Sequence, residues 1–319
     1  MPVPDVRETY PGRVTEVTIG CMARGGGTRN HVASVGGACS LPSLDFDGKL
    51  GHKPVIAMDV LDRYPADWPD ALRQPFGDAL HSPADWARRC VDEFGARMIC
   101  VKLDAIGADD PGRAASDAVA AVESVLRAVS VPLIIWGCDV AEMDNAVLPK
   151  VSRALKGERC LIGAATEANY RTLAAACLAD GHNIITSAPL DVNMARQINI
   201  LVSDMDFPLD RIVMYQTTGG LGYGLDYAYS IQERQRLAAL GGDRLMAMPV
   251  ICDVGTEAWR AKEARTPDDP ALGPQAERGP LWELVTATTL LQSGVDIFRM
   301  RHPRAVAGLS KTIDELFVT

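Results

Sequence analysis

One short segment combines glycine and tyrosine in a way that suits ligand contact. Four glycines fall within residues 219–224, and three tyrosines lie between 223 and 229. Glycine lets backbone approach a bulky ligand closely and adopts positive φ at no steric cost, while tyrosine adds flat apolar surface with a polar tip. The spacing differs from the dinucleotide pattern G-x-G-x-x-G. We expect a platform for a large planar ligand or for a partner surface, with a flexible lid as the alternative.

Carboxylates recur where apolar runs end, at Asp59, Asp104, Asp139, Asp191 and Asp253. Such groups could hydrogen-bond a pterin or perform general acid–base work. Acids at these places also cap the N-termini of helices, and both interpretations stay open.

Lys102 lies inside an apolar run. A Schiff-base lysine is conceivable there, but a buried lysine paired with Asp59 or Asp104 is favoured, because a buried charge needs a partner.

The cysteines do not predict a metal centre. None of the eight is spaced C-x2-C, the spacing with which one short loop presents two thiolates to zinc or to an iron–sulfur cluster. Cysteines 100, 160 and 252 lie in strand-like runs, and 90 and 177 lie on apolar helix faces. We expect buried, reduced thiols in a reducing compartment.

Composition excludes several classes of protein. The 319 residues are 47% hydrophobic and 23% charged, so most of the chain is expected to fold. A net charge of −9 argues against binding to nucleic acid or to an anionic membrane surface. The opening residues, MPVPDVRETYPGRV, lack the apolar core of a secretory signal, and we expect a cytoplasmic protein.

Eight apolar runs, separated by helical patterns, predict parallel strands covered on both faces. They start about 34 residues apart, which is enough for one strand, one crossover helix and two loops. Eight such units favour a single TIM (β/α)8 barrel, whose functional groups lie in the loops after the strands. The runs are 55–60, 98–103, 131–136, 160–164, 183–187, 211–216, 248–252 and 295–300.

The segment before the first run has its own pattern. Residues 15–19 and 31–35 are strand-like and flank the glycine-rich turn 23–28, which predicts a β-hairpin. We expect it to close the bottom of the barrel or to reach a partner. The predicted organisation is therefore a hairpin extension over residues 1–54 and a barrel over residues 55–319.

Four long stretches, at residues 187–202, 215–240, 249–264 and 279–306, resemble the small (delta) subunit of the corrinoid iron–sulfur protein of the acetyl-CoA synthase/decarbonylase system. The resemblance extends over essentially the whole chain. It implies a barrel related to pterin-binding methyltransferases and a heterodimer with a large (gamma) subunit that holds a [4Fe–4S] cluster and a cobalamin domain. The carrier would pass a methyl group from methyltetrahydrofolate, through a methyltetrahydrofolate:corrinoid methyltransferase, to acetyl-CoA synthase in the reductive acetyl-CoA pathway.

The resemblance also implies the cofactor and its site. Cobalamin would be shared with the large subunit and covered at the barrel mouth, while this chain holds no iron–sulfur cluster, metal ligand or catalytic residue of its own. Asn193, Asp253 and Arg299 would hydrogen-bond the amide side chains of the corrin. The remaining expected contacts come from one loop: Thr217, Thr218, Gly219, Gly220, Leu221, Gly222, Tyr223, Gly224 and Asp226.

Two enzymes remain as alternatives. A methyltransferase that binds methyltetrahydrofolate in its own barrel would use Asp59, Asp104 and Asn193, and a lysine-dependent aldolase would use Lys102. The first should bind folate by itself, and the second should be trapped by borohydride in the presence of substrate.

Overall fold

Eight parallel strands form the framework of the computed structural model, which describes residues 5–105, 111–188 and 191–317. Each strand falls within or next to one of the eight predicted runs, so the prediction of the strands is confirmed. Pro189 and Leu190, which follow the fifth predicted run, lie outside the described residues. The strands are β3 (Val55–Leu61), β4 (Ile99–Lys102), β5 (Leu133–Trp136), β6 (Leu161–Ala165), β7 (Asn183–Ser187), β8 (Ile212–Tyr215), β9 (Ile251–Asp253) and β10 (Ile297–Met300).

The strand order is that of a barrel. It runs β8-β7-β6-β5-β4-β3-β10-β9, and a parallel bridge between Met214 and Val250 joins the two ends. The Met214 amide donates to the carbonyl of Pro249 at 2.8 Å across this seam. The predicted TIM barrel is therefore confirmed, nearly closed and entirely parallel.

Helices surround the strands, and their ends follow local sequence. For example, the side chain of Ser82 accepts a hydrogen bond from the Asp85 amide at 3.3 Å and so caps the helix that begins at Pro83. None of the helices in the described ranges is both long and apolar enough to cross a bilayer. They are α1 (Asp70–Arg73), α2 (Pro83–Asp92), α3 (Pro111–Ala128), α4 (Ala141–Ala154), α5 (Tyr170–Asp180), α6 (Val192–Ser203), α7 (Leu225–Leu240), α8 (Val254–Arg260), α9 (Lys262–Arg265), α10 (Gln275–Gln292) and α11 (Pro303–Leu316).

The strands are apolar throughout because both of their faces are buried. Alternate side chains such as Ala57 and Ile134 point into the barrel and form one cluster, while Met58 and Ile135 belong to a second cluster formed with the helices. The five cysteines expected to be buried all are, and each is a free thiol.

An antiparallel hairpin closes the bottom of the barrel. Its strands are β1 (Val17–Ile19) and β2 (Ala33–Val35), and their apolar side chains pack into the inward-facing cluster of the barrel. The Asn183 side-chain amide, at the start of β7, donates to the Thr18 carbonyl at 2.9 Å. The first of the two roles expected for the hairpin is thus the one that the structure shows.

The hairpin should contribute to the stability of the whole barrel. Ile19 is fully buried, and we expect Ile19→Ala to lower the free energy of unfolding by about 2–5 kcal/mol, since it leaves a cavity in the barrel interior. Val32 lies in the same hairpin but is partly exposed, so Val32→Ala should cost less than about 1 kcal/mol. Urea unfolding followed by circular dichroism compares the two. Equal, small effects would show that the hairpin is not part of the core.

Candidate functional site

A cavity of about 550 Å³ opens at the mouth of the barrel, where the strands end. This is the size of a typical small-molecule site. Its walls combine charged side chains with four aromatic ones, of which Trp136 and Tyr215 meet edge to face with ring centres 5.0 Å apart. The cavity is lined by Leu61, Arg63, Asp67, Trp68, Pro69, Leu72, Lys102, Asp104, Trp136, Cys138, Asp139, Tyr215, Asp253, Thr256, Glu257, Trp259, Arg260, Arg265 and Arg301.

A buried ion network forms the floor beneath this cavity. Arg299, on β10, donates through Nε and Nη2 to the two carboxylate oxygens of Asp59 at 3.1 Å each. Its Nη1 donates to Asp253 at 3.0 Å, and its guanidinium lies 4.2 Å from the ring centre of Trp136. Arg301 reaches the same Asp59 carboxylate at 3.4 Å. Two cations and two anions therefore meet at this floor and balance in charge.

The network also determines how its groups ionise. Burial opposes ionisation of Asp253, but Arg299 and Arg301 outweigh it and lower the pKa of that carboxyl. Burial likewise opposes the charge on Arg299, yet Asp253 and Asp59 raise its pKa well above the ordinary value. Both groups therefore stay charged across the physiological range.

The acids at the strand ends serve different purposes. Asp253 caps α8 by accepting from the Thr256 amide at 3.2 Å, and Asp191 caps α6 by accepting from the Asn193 amide at 2.7 Å. Asp104 instead forms an ion pair with Arg63 at the edge of the cavity. The capping interpretation therefore holds for two of the five predicted carboxylates.

Lys102 has a different partner from the two that its position suggested. Its ammonium donates to the Gly137 carbonyl at 2.6 Å and to the carboxylate of Asp139, not to Asp59 or Asp104. Asp139 also accepts from the indole of Trp136 at 2.9 Å, and it adopts a φ of 66°. The expectation failed because Asp59 is taken by the two arginines, whereas the turn after β5 brings Asp139 back over the end of β4.

The loop of residues 217–226, here the glycine-rich loop, lies beside the cavity and does not line it. The Thr218 hydroxyl accepts from the Asp253 amide at 2.8 Å, and the Gln232 side chain donates to the Thr217 carbonyl at 3.1 Å. Leu221 packs against the core. Tyr223 donates to Glu263 at 3.0 Å. These contacts fix the loop against its neighbours.

The glycines of this loop fall into two groups. A Cβ on Gly219 or Gly220 would lie 2.2 Å from the Gly224 carbonyl oxygen or 2.9 Å from that of Glu257, so close backbone packing requires glycine there. Gly222 and Gly224 instead have φ of +78° and +86°, with open space around them. The loop thereby presents Tyr223 and, through the start of α7, Tyr227, whose side chains are 52% and 69% exposed.

The structure brings only some of the predicted contact residues together. Asp253 joins Thr218 of the glycine-rich loop to Arg299, and Asp253 is also the one predicted contact that lines the cavity. Arg299 is fully buried below it. Asn193 and Asp226 are exposed, on the first turns of α6 and α7.

Sequence reasoning missed a buried carboxylate that supports the mouth. Glu283, on α10, accepts from the indole of Trp259 at 2.7 Å and from the backbone amides of Arg301 and His302 at 2.6 and 3.1 Å. Burial outweighs these donors and raises the pKa of Glu283 to about 7. A lone glutamate within the apolar stretch GPLWELVTATTLL was the one available indication.

Comparison with known proteins shows the family of this chain. The family model for the CO dehydrogenase/acetyl-CoA synthase delta subunit matches residues 16–269. The acetyl-CoA decarbonylase/synthase complex subunit delta of Archaeoglobus fulgidus is 39% identical over 320 residues, covering 97% of this chain and 70% of that protein. The subunit delta of Methanothermobacter thermautotrophicus is 39% identical over 315 residues, covering 98% and 78%. The chain belongs to this delta-subunit family. The resemblance inferred from the sequence is confirmed, and partner subunits are expected for a delta subunit.

Solved structures of dihydropteroate synthases have a fold similar to that of this barrel. Dihydropteroate synthase from Xanthomonas albilineans, solved with 4-aminobenzoic acid, aligns with a TM-score of 0.55 at 15% identity, covering 85% of this chain and 96% of that one. The enzyme from Coxiella burnetii, in complex with pteroic acid, aligns at 0.54 and 11%, covering 86% and 96%. At such identities the likeness concerns the fold alone.

Breaking the ion network of the delta-family mouth should be costly. We expect Asp59→Asn to lower the free energy of unfolding by about 3–5 kcal/mol, because it removes a charge that the fully buried Arg299 and the half-buried Arg301 both pair with. Lys53 pairs with Asp314 on the surface, and Lys53→Met should cost less than about 1 kcal/mol. Urea unfolding at neutral pH measures both changes, and a similar cost for the two variants would contradict the role of the network.

Glu283 should make stability depend on pH. Its pKa is about 7 in the folded chain against an ordinary 4.5, so the folded state holds the extra proton between these values, and stability falls as pH rises from about 4.5 to about 7. Glu283→Gln should remove this contribution. Unfolding free energies of the two proteins at about pH 5 and about pH 7.5 measure it. If their difference stays constant across that interval, Glu283 does not titrate there.

Proposed function

We propose that this chain is the small subunit of a corrinoid iron–sulfur methyl carrier and helps to bind and cover cobalamin at the barrel mouth. Membership of the delta-subunit family supports the setting. The observation that carries the site is the glycine-rich loop, which is held rigid by its neighbours while it presents the exposed Tyr223 and Tyr227 beside the mouth. A preformed surface of glycine backbone and aromatic rings suits a macrocycle that must be approached closely.

The dimensions of the mouth favour a cover over an enclosing pocket. A cavity of about 550 Å³ holds a small molecule, whereas a corrin is broad and would lie across the rim. Cobalamin, when bound, supplies the cobalt atom that carries the methyl group. The chain's own contribution is to orient the macrocycle and to limit access of water to that atom.

The predicted contact residues would then have different roles. The backbone of the glycine-rich loop, its Tyr223 and the adjacent Tyr227 of α7 would meet the corrin face. Exposed polar groups such as Asn193 and Asp226 would meet the amide side chains of the corrin. Asp253 would contact a corrin amide side chain only if that side chain entered the cavity that Asp253 lines. Arg299 would act from below, by holding Asp253 and Asp59 in place.

The proposal includes the partners that the resemblance implies. They are a large (gamma) subunit with the iron–sulfur cluster and the main cobalamin domain, a methyltetrahydrofolate:corrinoid methyltransferase as donor, and acetyl-CoA synthase as acceptor. The carrier would work in the cytoplasm, and this subunit would catalyse no turnover by itself.

Loss of exposed aromatic surface should weaken retention of the corrinoid. We expect Tyr227→Ser to lower the affinity of the heterodimer for cobalamin by about tenfold, since a well-placed aromatic contact contributes roughly 1 kcal/mol or more. Tyr227 has no packing role to lose, being largely exposed. The measurement is cobalt per heterodimer after gel filtration, alongside a thermal melt.

The matched control is Phe46→Ser, at an aromatic residue 57% exposed in the turn that precedes β3, at the bottom of the barrel. It should retain full cobalt. Gly222→Val should behave like Tyr227→Ser, because it strains the turn without a clash, whereas Gly220→Val should disturb the packing of the loop on α8. Full cobalt in both Tyr227→Ser and Gly222→Val would remove this loop from the site.

A pterin ligand is a second candidate for the cavity itself. Three indoles and a phenol line it together with Asp104, Asp139 and Lys102, which is a suitable lining for a flat heterocycle with donors and acceptors at its edge. Of the three residues that the sequence suggested for this role, only Asp104 reaches the cavity. Tryptophan fluorescence of the isolated chain, titrated with methyltetrahydrofolate, decides the matter. Micromolar binding would favour a methyltransferase, and no binding would favour the cover.

A further inference from the structure

Helix α10 holds the glycine-rich loop by both backbone groups of a single residue. The Leu221 amide donates to the hydroxyl of Thr286 at 3.1 Å, and the indole of Trp282 donates to the Leu221 carbonyl at 2.9 Å. Trp282 and Thr286 are four residues apart, so their side chains lie on the same face of the helix. Two side chains of α10 thus pair with both the N–H and the C=O of Leu221, as a neighbouring strand would in a sheet.

The Thr286 hydroxyl is oriented for this purpose. It donates its one proton to the Trp282 carbonyl at 2.8 Å, one turn earlier in the helix, and the residue is fully buried. Because that proton is committed, an oxygen lone pair remains to accept from Leu221. The bond therefore does not compete with water or with a second donor.

The loop needs such a support. A glycine loses more conformational freedom on ordering than any other residue, and four occur within six positions. Apart from atoms of the adjoining residues, no atom lies within 4 Å of where a Cβ of Gly222 or Gly224 would be, so no other element packs against that side of these two glycines. The loop is otherwise held by the short turn in which the Tyr223 amide donates to the Gly220 carbonyl at 2.8 Å and by hydrogen bonds of Thr217, Thr218 and Tyr223 with neighbouring elements. The two bonds of Leu221 to α10 hold the residue between them.

We propose that Trp282 and Thr286 are positioning residues, which keep the glycine-rich loop in the shape that presents Tyr223 and Tyr227 to the corrinoid. The inference rests on the proposed function, and neither residue touches the ligand itself. Helix α10 would therefore affect corrinoid binding only through its two hydrogen bonds to Leu221.

Three substitutions in this chain, studied with and without the proposed large subunit, separate this role from general stability. Thr286→Val keeps the volume and removes the hydroxyl, Thr286→Ser keeps the hydroxyl, and Trp282→Phe keeps an aromatic ring and removes the N–H. Amide hydrogen exchange of residues 219–224 reports the loop in the chain itself. Cobalt per heterodimer reports the corrinoid, and a thermal melt reports the barrel.

We expect Thr286→Val and Trp282→Phe to speed exchange in this loop by about tenfold, which is the effect of losing one ordinary hydrogen bond, and to reduce cobalt retention by a similar factor. Thr286→Ser should restore both. The cooperative melt should persist in all three, with exchange elsewhere in the barrel unchanged.

The other outcomes are decisive. Unchanged loop exchange in Thr286→Val and Trp282→Phe would overturn the positioning role. Faster exchange with full cobalt, while Tyr227→Ser loses cobalt, would also overturn it and leave the proposed function standing. Full cobalt in these variants and in Tyr227→Ser together would overturn both. A variant that failed to melt cooperatively would show a structural role instead and would likewise overturn the inference.

Discussion

A guanidinium enclosed by the barrel imposes the constraint on which the mouth depends. Arg299 lies on β10 between β3 and β9, and its charge is satisfied only if Asp59 and Asp253 both face it. An unpaired ion at such a depth costs several kcal/mol, so the three strands must keep one register. The same guanidinium lies over Trp136. Arg299 therefore determines the positions of Asp59 and Asp253 in the floor of the cavity and contacts Trp136, one of its aromatic walls.

Helix α10 holds several loops of the mouth in place, as Arg299 holds the strands. Through Glu283 it holds Trp259 and the backbone after β10, and through Trp282 and Thr286 it holds Leu221. Arg278, at its first turns, donates to the carbonyls of Glu263, Thr266 and Gly273. Loops from different parts of the chain are therefore fastened to one rigid helix, which is how a site on loops acquires a defined geometry.

The mouth consequently carries two neighbouring features of different shape. The cavity over Arg299 has the volume of a small-molecule site, and the glycine-rich loop beside it leads to the exposed Tyr223 and Tyr227. Both features depend on Asp253. Its amide donates to Thr218 of the glycine-rich loop, while its carboxylate caps α8 and binds Arg299 in the floor of the cavity. Asp253 therefore connects the two features directly.

The sequence alone determined the barrel, its eight strands, the hairpin and the family, because apolar periodicity, glycine turns and long motifs are local properties of the chain. It also identified the glycine-rich loop and the acids at the strand ends. The partners of those acids could not be derived, since Asp59 and Arg299 are 240 positions apart and a capping acid resembles a ligand-binding one. Lys102 showed the same limit, because its pairing with Asp139 depends on how one turn folds back over a neighbouring strand. Only the tertiary structure decided which charges neutralise one another, and that the glycine-rich loop lies beside the cavity and not within it.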